Sequence, residues 1–239
     1  MSYYKLEASP IRDLGGLVKN SINLIVGPQG CGKTYLMDKL CDNFGYQFDE
    51  VYRVAPERTL SKYRTHNIEE MERWLRQCDE DLFQRQRDLK TVNGFVAFLR
   101  HPELEIDLPK ELPEAMGRYS NAADMERVKQ RLLCIDDFGG HPMFRSPSSS
   151  FSRISRQLRH IGITSIICCH NIRDVSPSIR SYTSAVNLYG GVPYYDLKEL
   201  YQNKGVPFPS YGAFVDAYRQ KTTKSAPDDH PYMHLTFLG

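Results

Sequence analysis

The eight residues Gly27 to Thr34, GPQGCGKT, constrain this chain more than any other stretch. An apolar run, Ile22-Asn23-Leu24-Ile25-Val26, precedes them and reads as a buried strand. TYLMDKLCDNFG follows, with Leu36, Met37, Leu40 and Cys41 at helical spacing. Strand, glycine-rich turn and helix are the context in which G-x-x-x-x-G-K-[ST] works as a phosphate-binding P-loop. Gly27, Gly30 and Gly32 let the backbone curl so that successive N–H groups face phosphate oxygens, where a Cβ would intrude. The helix opening near Lys33 adds its positive dipole end to that cradle. Lys33 is placed for the β- and γ-phosphates and Thr34 for Mg²⁺, and Pro28, Gln29, Cys31 and Tyr35 complete the candidate nucleotide-binding stretch.

A second site is expected where Arg131-Leu132-Leu133-Cys134-Ile135 runs into Asp136-Asp137. The first acid at a strand end holds the Mg²⁺ shell, and the next can polarise the attacking water. A turn-capping role is the alternative for Asp137. A third site is expected after the β-branched run Ile163 to Cys169, where Asn171 is either an amide that senses the γ-phosphate or an ordinary turn residue. His170 reads as structural rather than catalytic, and Cys168-Cys169 as buried strand cysteines rather than metal ligands. FSRISRQLRHIG reads as one helix over Ser152 to His160, with Arg153, Arg156 and Arg159 or His160 along one side. That stripe is either a solvated basic face or a phosphate-binding one, reaching DNA or a neighbour's nucleotide.

Elsewhere, residues 1–20 read as a loosely attached lead-in, Phe48 to Pro56 as a strand, and Asn67 to about Leu89 as a helix. VNGFVAFL reads as a possible strand, NAADMERVKQ as a short polar helix, and HPMFRSPSSS as a flexible loop. The tail from about Tyr194 shows no clear period. The division is then a lead-in (1–20), a P-loop core (21–193) and a C-terminal extension (194–239). Alternating strands and helices imply an α/β fold, a mostly parallel central sheet with helices on both faces and ligand at the strands' C-terminal ends.

With 239 residues, 41% hydrophobic and 25% charged, the chain reads as soluble and globular. It has no apolar run of membrane-spanning length and no signal-peptide pattern at MSYYKLEASP. Six cysteines without paired C-x-x-C spacing fit a reducing compartment. The net charge of +2 says little, but residues 141–180 hold six Arg against one acid, Asp174. Arg145, in the Pro/Ser-rich loop, and Arg153 are therefore candidate DNA contacts.

Taken together, GPQGCGKT, LLCIDDFGG and RQLRHIGITSIICCHN resemble the FtsK/HerA superfamily of DNA-pumping ATPases. The nearest look is to the genome-packaging ATPases of large DNA viruses, the poxvirus-type and related enzymes, over roughly residues 20–190. The resemblance implies an ASCE or RecA-like three-layer P-loop fold, with a strand inserted between the strands of the two Walker motifs. It implies ATP with Mg²⁺ and a homo-oligomeric ring, hexamer or pentamer, that drives double-stranded DNA into a capsid, with capsid vertex proteins as further partners. The virion or host-cell cytoplasm would be its place. By motif position Lys33 and Thr34 match Walker A, Asp136 the Walker B metal residue, and Asp137 the catalytic carboxylate. Asn171 falls at the sensor amide, and Arg159 at the trans-acting arginine finger with Arg156 in reserve. Many relatives carry Glu and Gln where this chain has Asp137 and Asn171, each shorter by one methylene. Other P-loop machines (AAA+ or helicase-like), a small-molecule kinase and a nucleotide-binding switch or scaffold with little turnover are the rival readings.

Overall fold

The computed structural model describes residues 11–56, 65–100, 110–119, 124, 126–138, 140–226 and 229–237. Its centre is a six-stranded sheet of β3 (Ile22–Val26), β4 (Glu50–Val54), β5 (Arg131–Ile135), β6 (Ile163–Cys169), β7 (Thr183–Tyr189) and β8 (Tyr232–Thr236). The order across the sheet is β4-β5-β6-β3-β7-β8, parallel throughout except for the antiparallel edge strand β8. Strand β6 thus lies between β3, which leads into the P-loop candidate, and β5, as the resemblance implies.

Every residue of β3, β5, β6 and β7 is buried, which is why these strands read as continuous apolar runs. Alternation divides them between two faces. Leu24, Val26, Leu133, Ile135, Ile167 and Cys169 join one cluster; Ile25, Leu132, Cys134, Ile166 and Cys168 join the other. The second face is covered by α1 (Lys33–Phe44), through Leu36, Met37, Leu40 and Cys41, and by Leu17. The first is covered by α2 (Ile68–Arg100) and by the short helices between β5 and β7. Cys168 and Cys169 therefore point to opposite layers, so they cannot share a metal ion.

Several elements differ from the sequence reading. Helix α2 is 33 residues long and absorbs VNGFVAFL. That segment stays helical because Leu89 and Val92 pack against Ala115 of α3 (Leu112–Gly117), a tertiary contact that outweighs its strand-like composition. Of NAADMERVKQ, expected as a short helix, residues 121–123 and 125 lie outside the described residues, and 127–130 are not helical. HPMFRSPSSS contains a helical turn, α4 (Pro142–Arg145), opened by His141 and Pro142. The single helix expected over Ser152 to His160 is two, α5 (Ser150–Ile154) and α6 (Leu158–Ile161). The break follows Ser155, whose Oγ donates to Ser152 O at 2.7 Å and competes with the helical ladder. Arg153, Arg156 and Arg159 consequently share no helix face.

The first and last described segments belong to the sheet's own packing. The lead-in's residues 11–20 form a small β1 (Arg12–Asp13) and β2 (Val18–Lys19) pair, with Leu17 and Val18 fully buried. Val18 N donates to the buried Asn23 side chain at 2.7 Å, and that amide donates back to Val18 O at 2.9 Å. After α7 (Pro177–Ser181) and β7, the tail supplies α8 (Tyr194–Lys204), α9 (Tyr211–Thr222) and β8. Leu197 and Phe214, both inaccessible to solvent, anchor α8 and α9 on the sheet.

Gly162 sets the approach into β6 at a φ of 72°, and a Cβ there would stand 2.2 Å from Lys129 O and 2.8 Å from Val128 Cγ1. Gly162→Ala is expected to destabilise the fold by about 2–4 kcal/mol, from the left-handed backbone and a clash with main chain that cannot relax. Urea unfolding measures it; an unshifted midpoint would contradict this close approach.

Candidate active site

The register of the sheet brings the three predicted sites together. Val26 lies opposite Cys169 and Ile135 opposite Ile167, so the residues that follow β3, β5 and β6 emerge at one rim. Gly27 N donates to Cys169 O at 3.2 Å, seating the P-loop on the end of β6. A Cβ at Gly27 would lie 2.7 Å from both Cys31 Sγ and Tyr189 Cβ, and Gly32 starts α1 at a φ of 102°. These are the positions where the turn depends on glycine.

Lys33 is buried and folds back over the loop. Its Nζ donates to Gly27 O at 2.8 Å, to Pro28 O at 2.9 Å and to His170 Nδ1 at 3.4 Å. Thr34 Oγ1 donates to Asp136 Oδ2 at 2.9 Å. Asp136 is 1% exposed, and burial raises its carboxyl above the ordinary value, against the opposing pull of Thr34 and Arg53. Arg53 of β4 is 2% exposed; it pairs with Asp38 of α1 and reaches Asp136 Oδ2 at 3.4 Å. Sequence reasoning passed over Arg53, although an arginine between Tyr52 and Val54 in a strand signals a buried ion pair.

Asp137 has a left-handed backbone at φ 54°, and its Oδ1 lies 3.0 Å from His170 Nε2. The end of β6 is pinned by Asp174, whose Oδ2 accepts from His170 N at 3.1 Å and Asn171 N at 2.8 Å. A cavity of about 350 Å³ collects Gln29, Gly30, Gly32, Lys33, Thr34, Tyr35, Asp136, Asp137, His170 and His230. Asn171, the residue favoured from sequence, is not in its lining, and His170 is. His230 was also missed. It precedes β8, which pairs Tyr232 with Tyr189 at the P-loop rim, and a Cβ on Gly32 would come 2.9 Å from its ring.

The arginines lie elsewhere. Arg145 donates to Asp174 Oδ1 at 3.3 Å, and Arg173 and Arg180 pair with Glu199. Arg153, Arg156 and Arg159 are exposed. Arg156 lines a cleft of about 700 Å³ beside Asp79 and Glu80 of α2. Arg159 stands before β6, at the rim opposite the cavity and roughly 20 Å from it at a strand's rise per residue.

The donor set fits a nucleotide with Mg²⁺. Thr34 and Asp136 present two hard oxygens beside the lysine, on a carboxylate whose burial calls for a cation. Among the described residues no cluster of three or more His, Cys, Asp or Glu is arranged to hold a metal, so phosphate oxygens and water would complete the shell.

Sheet order and cavity together define a P-loop NTPase fold of the type with a strand inserted between its two phosphate-side strands. No protein-family profile and no curated protein matches the chain. Among solved structures it is similar to the DNA-packaging ATPase B204 of Sulfolobus Turreted Icosahedral Virus, at 12% identity over 92% of this chain and 99% of that one, with a TM-score of 0.46. It is similar to the genome-packaging NTPase B204 of Sulfolobus turreted icosahedral virus 2 with AMPPCP, at 11% identity, 91% and 98% coverage, and a TM-score of 0.47. The cytoplasmic domain of the Thermomonospora curvata type VII secretion ATPase EccC is similar over 91% of this chain and 25% of its own, at 15% identity and a TM-score of 0.45. At such identities no residue role passes from those proteins to this one.

Burial gives Asp136 a testable signature. Its carboxyl keeps a proton to higher pH in the folded than in the unfolded chain, so stability falls as pH rises through that window and the penalty persists at neutral pH. Asp136→Asn is expected to melt at or above the wild-type temperature at pH 7, with a flatter dependence between pH 4 and 7, while losing Mg²⁺-dependent nucleotide binding. Circular-dichroism melts across that range decide it. A marked loss at pH 7 would show that the attraction to Arg53 outweighs burial.

Proposed function

We propose that this chain is an ATPase that moves double-stranded DNA as a homo-oligomeric ring, packaging a viral genome into a capsid. The observation that carries the ATPase reading is the convergence of Lys33, Thr34, Asp136 and Asp137 on one cavity at the C-terminal rim of a parallel sheet. Lys33 transfers its donors from the P-loop carbonyls to the β- and γ-phosphates. Thr34 and Asp136 would hold Mg²⁺, which would supply charge neutralisation for the phosphates. Asp137 takes part in activating the attacking water.

A ring is supported by the placement of Arg159. An arginine before β6 is remote from its own chain's cavity, so it acts on a nucleotide only if that nucleotide belongs to a neighbour. Arg156 is the reserve for that role. DNA is supported by the sequence resemblance and by exposed Arg153 in the arginine-rich segment; Arg145 is a weaker contact because Asp174 already holds it. Such a grip would be sequence-blind and salt-sensitive. An AAA+ machine is disfavoured because α8 and α9 are packed into the sheet's core instead of forming a separate helical lid.

Lys33→Ala is expected to abolish ATP binding and turnover in calorimetry and phosphate-release assays; retained turnover would remove the assignment. Wild-type ATPase is expected to rise on adding double-stranded DNA, in a species of ring size by light scattering. A slow, DNA-independent monomer would favour the switch or scaffold. Arg159→Ala is expected to lose activity alone and regain part of it in rings mixed with Lys33→Ala, which supplies the arginine. Absence of complementation would place the finger elsewhere.

A further inference from the structure

The geometry points to His170 as the proton acceptor for the attacking water, oriented by Asp137; this rests on the ATPase reading above. Lys33 Nζ can only donate, so at 3.4 Å the His170 Nδ1 accepts. The ring proton is then on Nε2, which donates to Asp137 Oδ1 at 3.0 Å. The main chain that carries the ring is held by His170 N, which donates to Asp174 Oδ2 at 3.1 Å. The imidazole therefore presents a lone pair into the cavity, at the point where the lysine ammonium now sits.

Binding of a triphosphate draws Lys33 to phosphate oxygens and uncovers Nδ1. Water attacks the γ-phosphorus: the new O–P bond forms, the bond to the β–γ bridging oxygen breaks, and its electron pair leaves with ADP. The water's proton goes to Nδ1 and passes to phosphate or solvent on product release. Asp137 keeps the Nε2 proton hydrogen-bonded and stabilises the imidazolium in between. This arrangement also accounts for the short acid, because an imidazole extends the reach of Asp137 by more than the methylene it lacks. The charged groups around the ring are Asp137 from the loop after β5, Lys33 from α1 and Asp174 from the turn after β6; Asp136 and His230 share the cavity.

The experiment compares wild type, His170→Ala, His170→Asn and Asp137→Asn in two readouts. ATPγS affinity by calorimetry is expected to stay within about threefold for all. The ATPase kcat is expected to fall about a hundredfold or more in each variant, with His170→Ala partly restored by added imidazole. ¹⁵N NMR of the nucleotide-free wild type is expected to show His170 protonated at Nε2. Undiminished kcat in His170→Ala overturns the inference. So does full activity in His170→Asn, which would leave the residue a hydrogen-bonding sensor, or a loss that imidazole fails to restore. An Nδ1-protonated tautomer would also sink it. If the wild type neither binds ATPγS nor hydrolyses ATP, the ATPase reading itself has failed.

Discussion

One hydrogen bond, from Thr34 to Asp136, spans 102 positions of sequence and joins the first turn of α1, which follows β3, to the residue after β5, a strand that is not β3's neighbour. It requires that β6 stand between β3 and β5, that all three run in the same direction, and that they end at the same rim. Burial on both faces ties that arrangement to the packing of two layers, since a slip by one would exchange the side-chain sets that meet α1 and α2. The contact is thus a product of the sheet's register and not of local sequence.

Around it the chain tolerates an electrostatic conflict. A carboxylate in the interior is costly unless it is paired, and Asp136 meets the Thr34 hydroxyl, the Cys168 thiol and an arginine shared with Asp38. Arg53 cannot satisfy it fully because Asp38 claims the same guanidinium. That shared pairing ties α1, β4 and β5 at the site, and leaves the acid with an unmet preference for positive charge. A phosphate-bound cation fits that preference, so the site's affinity and its structural tension have the same origin.

The legible part of this molecule was the part governed by local pattern. The β3–P-loop–α1 unit, the Asp136-bearing strand and β6 were marked by short apolar runs ending in polar residues, and the structure keeps them within a residue or two. Contacts made across the sheet were not legible. Nothing near His170 in sequence announces Asp137 or Lys33, and only the parallel pairing of β5 and β6, with Ile135 opposite Ile167, puts them within hydrogen-bonding distance. His230 was hidden for the same reason, its placement following from the pairing of β8 with β7. The arginine stripe was misjudged because a serine side chain diverted the helix midway, which periodicity does not register. The tail's helices lacked a strong pattern because their apolar residues face a nearly complete sheet over narrow stripes.

The positive φ of Asp137 has an evolutionary reading. Aspartate and asparagine visit that backbone region with little strain, whereas a longer acid such as glutamate does so less readily. A single codon change from the short acid to the long one would therefore meet a main chain wound the wrong way for it. Descent between a lineage bearing this peptide and one bearing glutamate needs a compensating flip in the same turn, so the handedness of one residue acts as a ratchet on the history of the site.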